Sequence, residues 1–378
     1  MPLTEIHANI LTEADRIMTI CNACRYCEGH CAVFPAMAKR LEFNQGNLEY
    51  LANLCHGCGS CYHHCQYAEP HEFNVNVPRT FAELRKQTYA EYAWPGFMRL
   101  AFDKNGVWVA AILCLSLVGF ILGAAWLTGP DHFFAVHENK FYGVIPHKIM
   151  AGLFTGVSLF VLLALTMGAV NYWRSLGLPS PLGIDRRNVF QALHNALTLK
   201  YLDGGGGDGC TYPDERPSLA RRRFHHLTFY GFMLCFAATL VGTLYHYGFG
   251  WQAPYDLLSL PKVLGIAGGI GLIVGPVGLL WLKNRADEAL RDQNSSAMDL
   301  AFLILLLLTS ATGLVLMVVG DTSFVGLALA VHLGAILALF ITMPYGKFVH
   351  GIYRFITLVA HAMEQRDDSI IAGREKME

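Results

Sequence analysis

The chain has 378 residues, of which 53% are apolar and only 15% are charged. An ordinary soluble domain carries about 25% charged residues, so this composition excludes a wholly soluble protein. Disorder is excluded as well, because it requires low hydrophobicity and high charge. The formal net charge of −1 gives no indication of nucleic-acid binding.

The start of the chain does not have the pattern of a secretory signal peptide. It contains Glu5, Glu13 and Asp15 and lacks a hydrophobic core segment. We therefore expect the N-terminal hundred or so residues to stay in a reducing cytoplasm. There, cysteines bind metals more often than they form disulfides.

Eight of the 11 cysteines lie in two runs with the same C-x2-C-x2-C-x3-C spacing. Three thiolates at three-residue intervals can bind three irons of a cubane, and in two-cluster ferredoxins the fourth cysteine of each run ligates the other cluster. The spacing therefore predicts two [4Fe–4S] clusters. One set of ligands is Cys21, Cys24, Cys27 and Cys65, and the other is Cys55, Cys58, Cys61 and Cys31.

Zinc is the alternative for these cysteines, but zinc sites favour paired C-x2-C units. The ferredoxin pattern has proline after the fourth cysteine, whereas Ala32 and Gln66 stand there in this chain. Helical periodicity follows Asn44, and a second helix is predicted from Pro78 to Tyr92. Residues 1–105 are thus predicted to form an α-helical ferredoxin domain. Histidines flank its clusters and are expected to be polar loop residues: His56, His63, His64 and His71.

Six stretches after this domain are long and apolar enough to cross a bilayer as helices. They are 107–127, 149–170, 224–246, 263–282, 300–319 and a last one near 324–349, whose inner boundary is left open by Pro344 and Lys347. All but three of the 28 Lys and Arg residues fall on one side if both termini are cytoplasmic, the exceptions being Lys140, Lys148 and Lys262. Residues 106–378 are therefore predicted to form a six-helix transmembrane bundle in a bacterial-type inner membrane, with a cytoplasmic loop at 171–223. The whole chain is expected to be all-α.

Ionisable residues inside a membrane are functional candidates. His226 and His246 are 20 residues apart on the third span, and His332 and His350 are 18 apart on the sixth. On antiparallel helices, separations of roughly 30 and 27 Å place these histidines at two matching depths. They could ligate two b-type haems, the inner through His226 and His350 and the outer through His246 and His332. His225 could replace His226, His147 could replace His246, and a single haem stays possible.

The predicted loop 171–223 contains the glycine-rich segment Asp203–Cys210, which is not followed by the Gly-Lys-Ser/Thr of a phosphate loop. We expect a flexible connector, with a docking surface for a redox partner as the alternative. Arg221, Arg222 and Arg223 are expected to anchor the third span to anionic headgroups. Glycines at 265, 269, 271 and 275 predict close packing of the fourth span.

Two parts of the chain each resemble a known family. The paired cysteine runs with Phe73–Pro78 resemble the small iron–sulfur subunits of heterodisulfide-reductase and succinate-dehydrogenase type. The segment from His332 to His350 resembles the last helix of the nitrate reductase gamma subunit family, in which both corresponding histidines bind haem. That family's partner helix has a second histidine ten residues on, where this chain has Phe236.

The chain as a whole, with both halves fused, is similar to the tricarballylate (citrate) utilisation protein B family. The resemblance extends over essentially the whole chain and includes Thr19–Cys27 and the segment Tyr201-Leu-Asp-Gly-Gly-Gly. This resemblance implies a membrane protein that takes electrons from an FAD-containing tricarballylate dehydrogenase and passes them to the quinone pool. No acid–base constellation stands out, so the chemistry on the organic substrate is expected on the partner. The alternative is a transporter or a zinc-bearing membrane scaffold, but the spans lack the midplane carboxylate expected of a transporter.

Overall fold

The computed structural model describes residues 3–129, 133–135 and 141–375. The cysteine-rich part consists of five helices: α1 (Leu3–Cys24), α2 (Val33–Ala38), α3 (Gln45–Leu54), α4 (Ser60–His63) and α5 (Val77–Glu91). The Asn44 side chain accepts a hydrogen bond from the Asn47 backbone N–H at 2.9 Å, which caps α3. Asn76 caps α5 in the same way. Both helices predicted here are confirmed. We call residues 3–104 the cysteine module.

Six later helices are long and apolar enough to cross a membrane. They are α6 (Asn105–Thr128), α8 (His147–Ser175), α10 (Ala220–Phe249), α11 (Leu260–Arg285), α12 (Gln293–Val318) and α13 (Val325–Thr342). The remaining α-helices are α7 (Phe141–Val144), α9 (Arg186–Leu197) and α14 (Val349–Glu375). In addition, β1 (Cys210–Thr211) and β2 (Pro217–Ser218) form a hairpin. The all-α prediction is confirmed, because this hairpin contains the only strands in the described residues.

The predicted sixth span, 324–349, is not one continuous helix. Helix α13 ends at Thr342, a short 3-10 turn covers Met343–Tyr345, and α14 begins at Val349. Pro344 has no backbone N–H to donate, and Gly346 is extended, so the helix cannot continue through them. His332 and His350 therefore lie on two different helices, which corrects the assumption of a single straight helix between them.

Helices α10 and α11 touch through their backbones. A Cβ on Gly268 would lie 2.8 Å from the backbone N of Cys235, and one on Gly275 would lie 2.4 Å from the Thr228 hydroxyl oxygen. Gly271 faces the Leu227 carbonyl at a similar spacing. The predicted close packing of the fourth span is therefore correct, and α10 is its partner.

The last helix, α14, returns to the cysteine module. Its residues Leu358 and Val359 are buried in the same hydrophobic core as Leu51 and Phe81 of the module. Farther along α14, Glu364 pairs with Arg40 at 2.5 Å and accepts a hydrogen bond from the Tyr50 hydroxyl at 3.0 Å. The core of the cysteine module thus includes the C-terminal part of the chain.

Stacked tyrosines join the module to the membrane helices. Tyr172 of α8 and Tyr353 of α14 stack with ring centroids 4.7 Å apart, and Tyr89 of α5 meets Tyr353 edge-on at 5.4 Å. Beside them, the Tyr92 hydroxyl donates to the buried Glu49 carboxylate at 2.8 Å. Because the end of α8 and the start of α14 meet here, this side of the six-helix bundle faces the cysteine module, and we call it the module side.

Candidate metal centres

A cavity of about 280 Å³ lies where α1 ends, and four cysteines of one predicted ligand set line it. Cys21 and Cys24 come from the last turn of α1, Cys27 from the loop after it, and Cys65 from the loop after α4. Apolar side chains such as Phe34 and Val77 complete the wall. Its lining also includes Tyr26, which is 68% exposed, so this first cavity lies at the protein surface.

A second, much smaller cavity is lined by the other predicted set, Cys31, Cys55, Cys58 and Cys61. Cys61, Phe34 and Val77 line both cavities, so the two sites are neighbours. The structure thus brings each predicted set of four thiols around one cavity, with Cys61 at the wall between them. The ligation itself stays a prediction.

The cysteines fit a cluster because they are unpaired thiols arranged around a cavity. Among the described residues, no three His, Cys, Asp or Glu side chains meet as closely as a single metal ion requires. Burial, followed by repulsion from the neighbouring thiols, raises the pKa of both Cys21 and Cys27 to about 12. Such buried thiols become thiolates only with nearby positive charge, which iron supplies.

Cys58 differs from these thiols. A hydrogen bond from the Cys210 side chain, together with bonds from Ser60 and the charge of Arg221, outweighs burial and lowers the pKa of Cys58 to about 6. The surroundings of the second cavity therefore favour negative charge on this sulfur. Sequence reasoning left Cys210 without a role, because nothing in the spacing connects it to the two runs.

Three arginines converge on the loop that carries the second run. Arg85 donates to the carbonyl oxygens of Ala52 and Cys55 at 3.0 and 3.1 Å, and Arg354 donates to that of Cys55 at 2.7 Å. Arg221 donates to the carbonyl of Gly57. These cations stabilise negative charge in the second cavity. They come from α5, α14 and α10, so local sequence contained no signal for them.

Arg221 and Arg222 were expected to meet lipid headgroups, but they face the protein. Arg221 also covers the Tyr212 ring at 4.5 Å, and Arg222 donates twice to the Thr198 carbonyl. The glycine-rich segment Asp203–Cys210 is likewise packed and is not a free connector. A Cβ on Gly205 would lie 2.3 Å from the Gly29 carbonyl oxygen in the first run.

His225, and not His226, lies beside His350. The ring centroids of His225 and His350 are 6.2 Å apart and nearly perpendicular. Consecutive residues on a helix point about 100° apart, and His226 accordingly turns away, with its Nε2 3.2 Å from the Leu197 carbonyl. The first choice for the inner pair therefore does not match the geometry, and the alternative through His225 does.

The His225–His350 pair fits axial haem ligation. His350 Nδ1 lies 2.5 Å from the Lys347 carbonyl, which holds the N–H there and leaves Nε2 free to bind a metal. The buried Nδ1 of His225 has no hydrogen-bond partner among the residues that the structure describes. His56, the residue after Cys55, is also buried near this pair. Burial, and after it the nearby charge of Arg354, lowers the pKa of His56 well below the ordinary value. This corrects its expected place in a polar loop.

The histidines at the far side, which is the end of the membrane helices opposite the module side, do not fit the predicted outer pair of His246 and His332. His246 stacks face to face on His147, with ring centroids 4.0 Å apart. His332 instead lies 3.1 Å from the Thr312 hydroxyl, and in the part of the chain that the structure describes it makes no ring contact with His246. Among the described residues, neither His246 nor its alternative His147 makes a ring contact with His332, so neither version of the outer pair is assembled.

Comparisons with known proteins match both parts of the chain. A family model described as citrate utilization protein B matches residues 105–370, and one described as its Fer4-like domain matches residues 14–91. The curated citrate utilization protein B of Escherichia coli is 51% identical over 368 residues, covering 96% of this chain and 95% of that protein. No solved structure gave a significant match.

Proposed function

The chain belongs to the citrate utilization protein B family, and we propose that it is a membrane-bound electron-transfer protein. In this proposal it carries two [4Fe–4S] clusters and one b-type haem, and connects a flavoprotein dehydrogenase to the quinone pool. The Fer4-like domain match supports the clusters. The haem rests on His225 and His350 alone.

The observation that carries the proposal is the order of the sites. The first cysteine-lined cavity is at the surface, and the second shares a wall with it. The loop of the second run is in turn held by Arg221 of α10 and Arg354 of α14. A cofactor in the second cavity would therefore lie between the surface site and the module side of the membrane helices.

The residues of this chain hold and shield the cofactors. When bound, the clusters and the haem exchange single electrons, which divides the two-electron oxidation of a flavin into one-electron steps. The eight thiols supply the cluster ligands, and the apolar walls formed by Phe34 and Val77 exclude water between the cavities. Arg85 and Arg354 offset the negative charge that accumulates there.

The partner that delivers electrons docks where the first cavity reaches the surface, beside Tyr26. We propose an FAD-dependent dehydrogenase, tricarballylate dehydrogenase by family resemblance, on which the chemistry of the organic acid takes place. The excess of Lys and Arg on the module side supports a cytoplasmic location for that side, and for both termini, in a bacterial-type cell. The six helices then cross the inner membrane among its lipids, and no nucleic acid takes part.

Anaerobic mixing tests this route. The full chain, purified in membranes, is mixed with a candidate dehydrogenase whose flavin has been reduced by its substrate, and absorbance is followed. We expect the iron–sulfur bands to bleach first and the reduced b-type band to follow. A flavin that stays reduced while the clusters stay oxidised would contradict the proposed partner.

The haem is tested by histidine variants. His225→Ala and His350→Ala should each abolish the b-type band in a reduced-minus-oxidised spectrum. His226→Ala is the matched control, because it changes the adjacent residue on the same helix and should retain haem. Unchanged haem content in both the His225 and the His350 variants would reject this site.

A further inference from the structure

Cys210 is a ninth cysteine in the neighbourhood of the second cavity, and it is completely buried. It lies in β1, within a small apolar cluster that contains Cys58, Leu199 and Leu202. Its thiol therefore lies beside that of Cys58, one of the four thiols that line the second cavity. None of the predicted ligand sets includes it.

A glycine of the second run allows this close approach. Gly59, one residue after Cys58, has a φ of +83°, and a Cβ there would lie 2.5 Å from the Thr211 carbonyl oxygen. Gly209, one residue before Cys210, has a φ of +107° and lies against the backbone of Ser218 in the paired strand, so it keeps the hairpin itself tight. The hairpin that carries Cys210 is therefore pressed against the second run, and no side chain fits between them.

The Cys210 thiol has a single proton and two acceptors. The Leu202 carbonyl oxygen, 3.4 Å from Cys210 Sγ, is one acceptor, and the Cys58 sulfur in the same buried cluster is the other. When iron binds Cys58, that sulfur is a thiolate with lone pairs and no proton of its own, so it can only accept. A charged thiolate is a stronger acceptor than a carbonyl oxygen at this long distance, so the Cys210 S–H turns to the cluster ligand.

We propose that Cys210 is a positioning residue for the second cluster, donating its S–H to Cys58 and thereby raising that cluster's reduction potential. Hydrogen bonds to ligating sulfurs raise the potential because they stabilise the more negative, reduced cluster. The inference rests on the proposed function, since it requires a cluster in the second cavity.

The first cavity has a solvent-exposed counterpart. There, Gln66 Nε2 lies 4.0 Å from Cys24 Sγ, in a part of the module where the Gln66 side chain is exposed. The donor at the second site is completely buried and does not compete with water, so we expect the second cluster to have the higher potential. Electrons then pass energetically downhill from the surface cluster to the one beside the membrane helices.

The test is a redox titration of the full chain, followed by electron paramagnetic resonance of the two reduced clusters. Cys210→Ala removes the donor and should shift the midpoint potential of one cluster to a more negative value, with the other unchanged. Cys210→Ser keeps a donor and should recover part of that shift. Cys114→Ala, at an exposed position on α6, is the control and should match the wild type.

Four outcomes overturn the inference. Equal midpoint potentials in the wild type, Cys210→Ala and Cys210→Ser would show that no hydrogen bond acts on the cluster, and equal shifts in both variants would show that the donor is irrelevant. Loss of the second cluster in Cys210→Ala with its retention in Cys58→Ala would make Cys210 the ligand instead. Absence of a second cluster from the wild type would reject the proposed function together with the inference.

Discussion

Arg354 donates to the backbone carbonyl of Cys55 at 2.7 Å, although the two residues are 299 positions apart in the chain. This bond joins the last helix, α14, to the loop that begins the second cysteine run. His350, one turn earlier on the same helix, faces His225. A single helix therefore positions residues at both the second cavity and the candidate haem site.

The first prediction concerns Arg354, a partly buried residue near the buried Arg85. Arg354→Gln should lower the free energy of unfolding by about 1–3 kcal/mol, because it removes a charged donor from a buried carbonyl. It should also shift the second cluster to a more negative potential, because a nearby cation is lost. Thermal unfolding and a redox titration of the purified chain measure the two effects.

The control for this variant is Arg366→Gln on the same helix. Arg366 pairs with Asp185 where both side chains are partly exposed, so its removal should change stability less and leave the cluster potentials unchanged. If both variants shifted the second cluster equally, the effect of Arg354 would not be local.

The second prediction is a pH dependence from Glu49. Burial raises the pKa of this carboxyl group from 4.5 to about 7, although hydrogen bonds from Gln45 and Tyr92 oppose the shift. The folded state therefore favours the protonated form, and its stabilising contribution is complete below pH 4.5 and is lost as the pH rises through 7. Glu49→Gln should remove this loss, which amounts to about 3 kcal/mol.

Thermal unfolding of the wild type and Glu49→Gln between pH 4.5 and pH 8 checks this prediction. The difference in stability between the two proteins should grow in favour of the glutamine variant as the pH rises. Glu42→Gln, at an exposed position of the same module, should follow the wild type. A constant difference across the pH range would contradict a protonated Glu49.

The third prediction concerns the contact between α10 and α11. Gly275→Val places a side chain where even a Cβ would lie 2.6 Å from the backbone N of Thr228, so the two helices must separate. We expect a loss of about 1–3 kcal/mol in stability and a lower haem content, because Thr228 is one turn from His225. Gly156→Val on α8, where nothing lies within 4 Å, is the control.

The fourth prediction concerns the packed glycine segment. Gly205 and Gly207 have similar φ angles, +88° and +87°, but a Cβ on Gly207 would meet nothing within 4 Å. Both alanine variants carry the same backbone strain, and only Gly205→Ala also clashes with the first run. The cluster absorbance of the Gly205→Ala variant should therefore decrease faster in air than that of the Gly207→Ala variant. Equal rates would show that the segment does not shield the clusters.

Much of the fold follows from local sequence patterns. The cysteine spacing and the apolar length of the spans each depend on residues close together in the chain, so the module and the six helices could be predicted. The order of residues along a helix does not reveal how the helix is rotated, so the sequence alone cannot distinguish His225 from His226 as the inner ligand. The break at Pro344 and Gly346 shows the same limit, since apolar composition alone cannot place a helix end.

The contacts that complete the candidate sites could not be predicted in this way. Cys210 lies beside Cys58 because its hairpin packs against Gly59, and Arg354 reaches Cys55 from the last helix. Both contacts form only when distant segments pack together. The stacking of His147 on His246 depends equally on how α8 and α10 meet at the far side.

The most direct test of the account is the iron, sulfide and zinc content of the full chain, purified without oxygen. Two [4Fe–4S] clusters require about eight irons and eight acid-labile sulfides per chain, with one further iron if the haem is bound. We predict this content, with zinc absent. Stoichiometric zinc without sulfide would contradict the account.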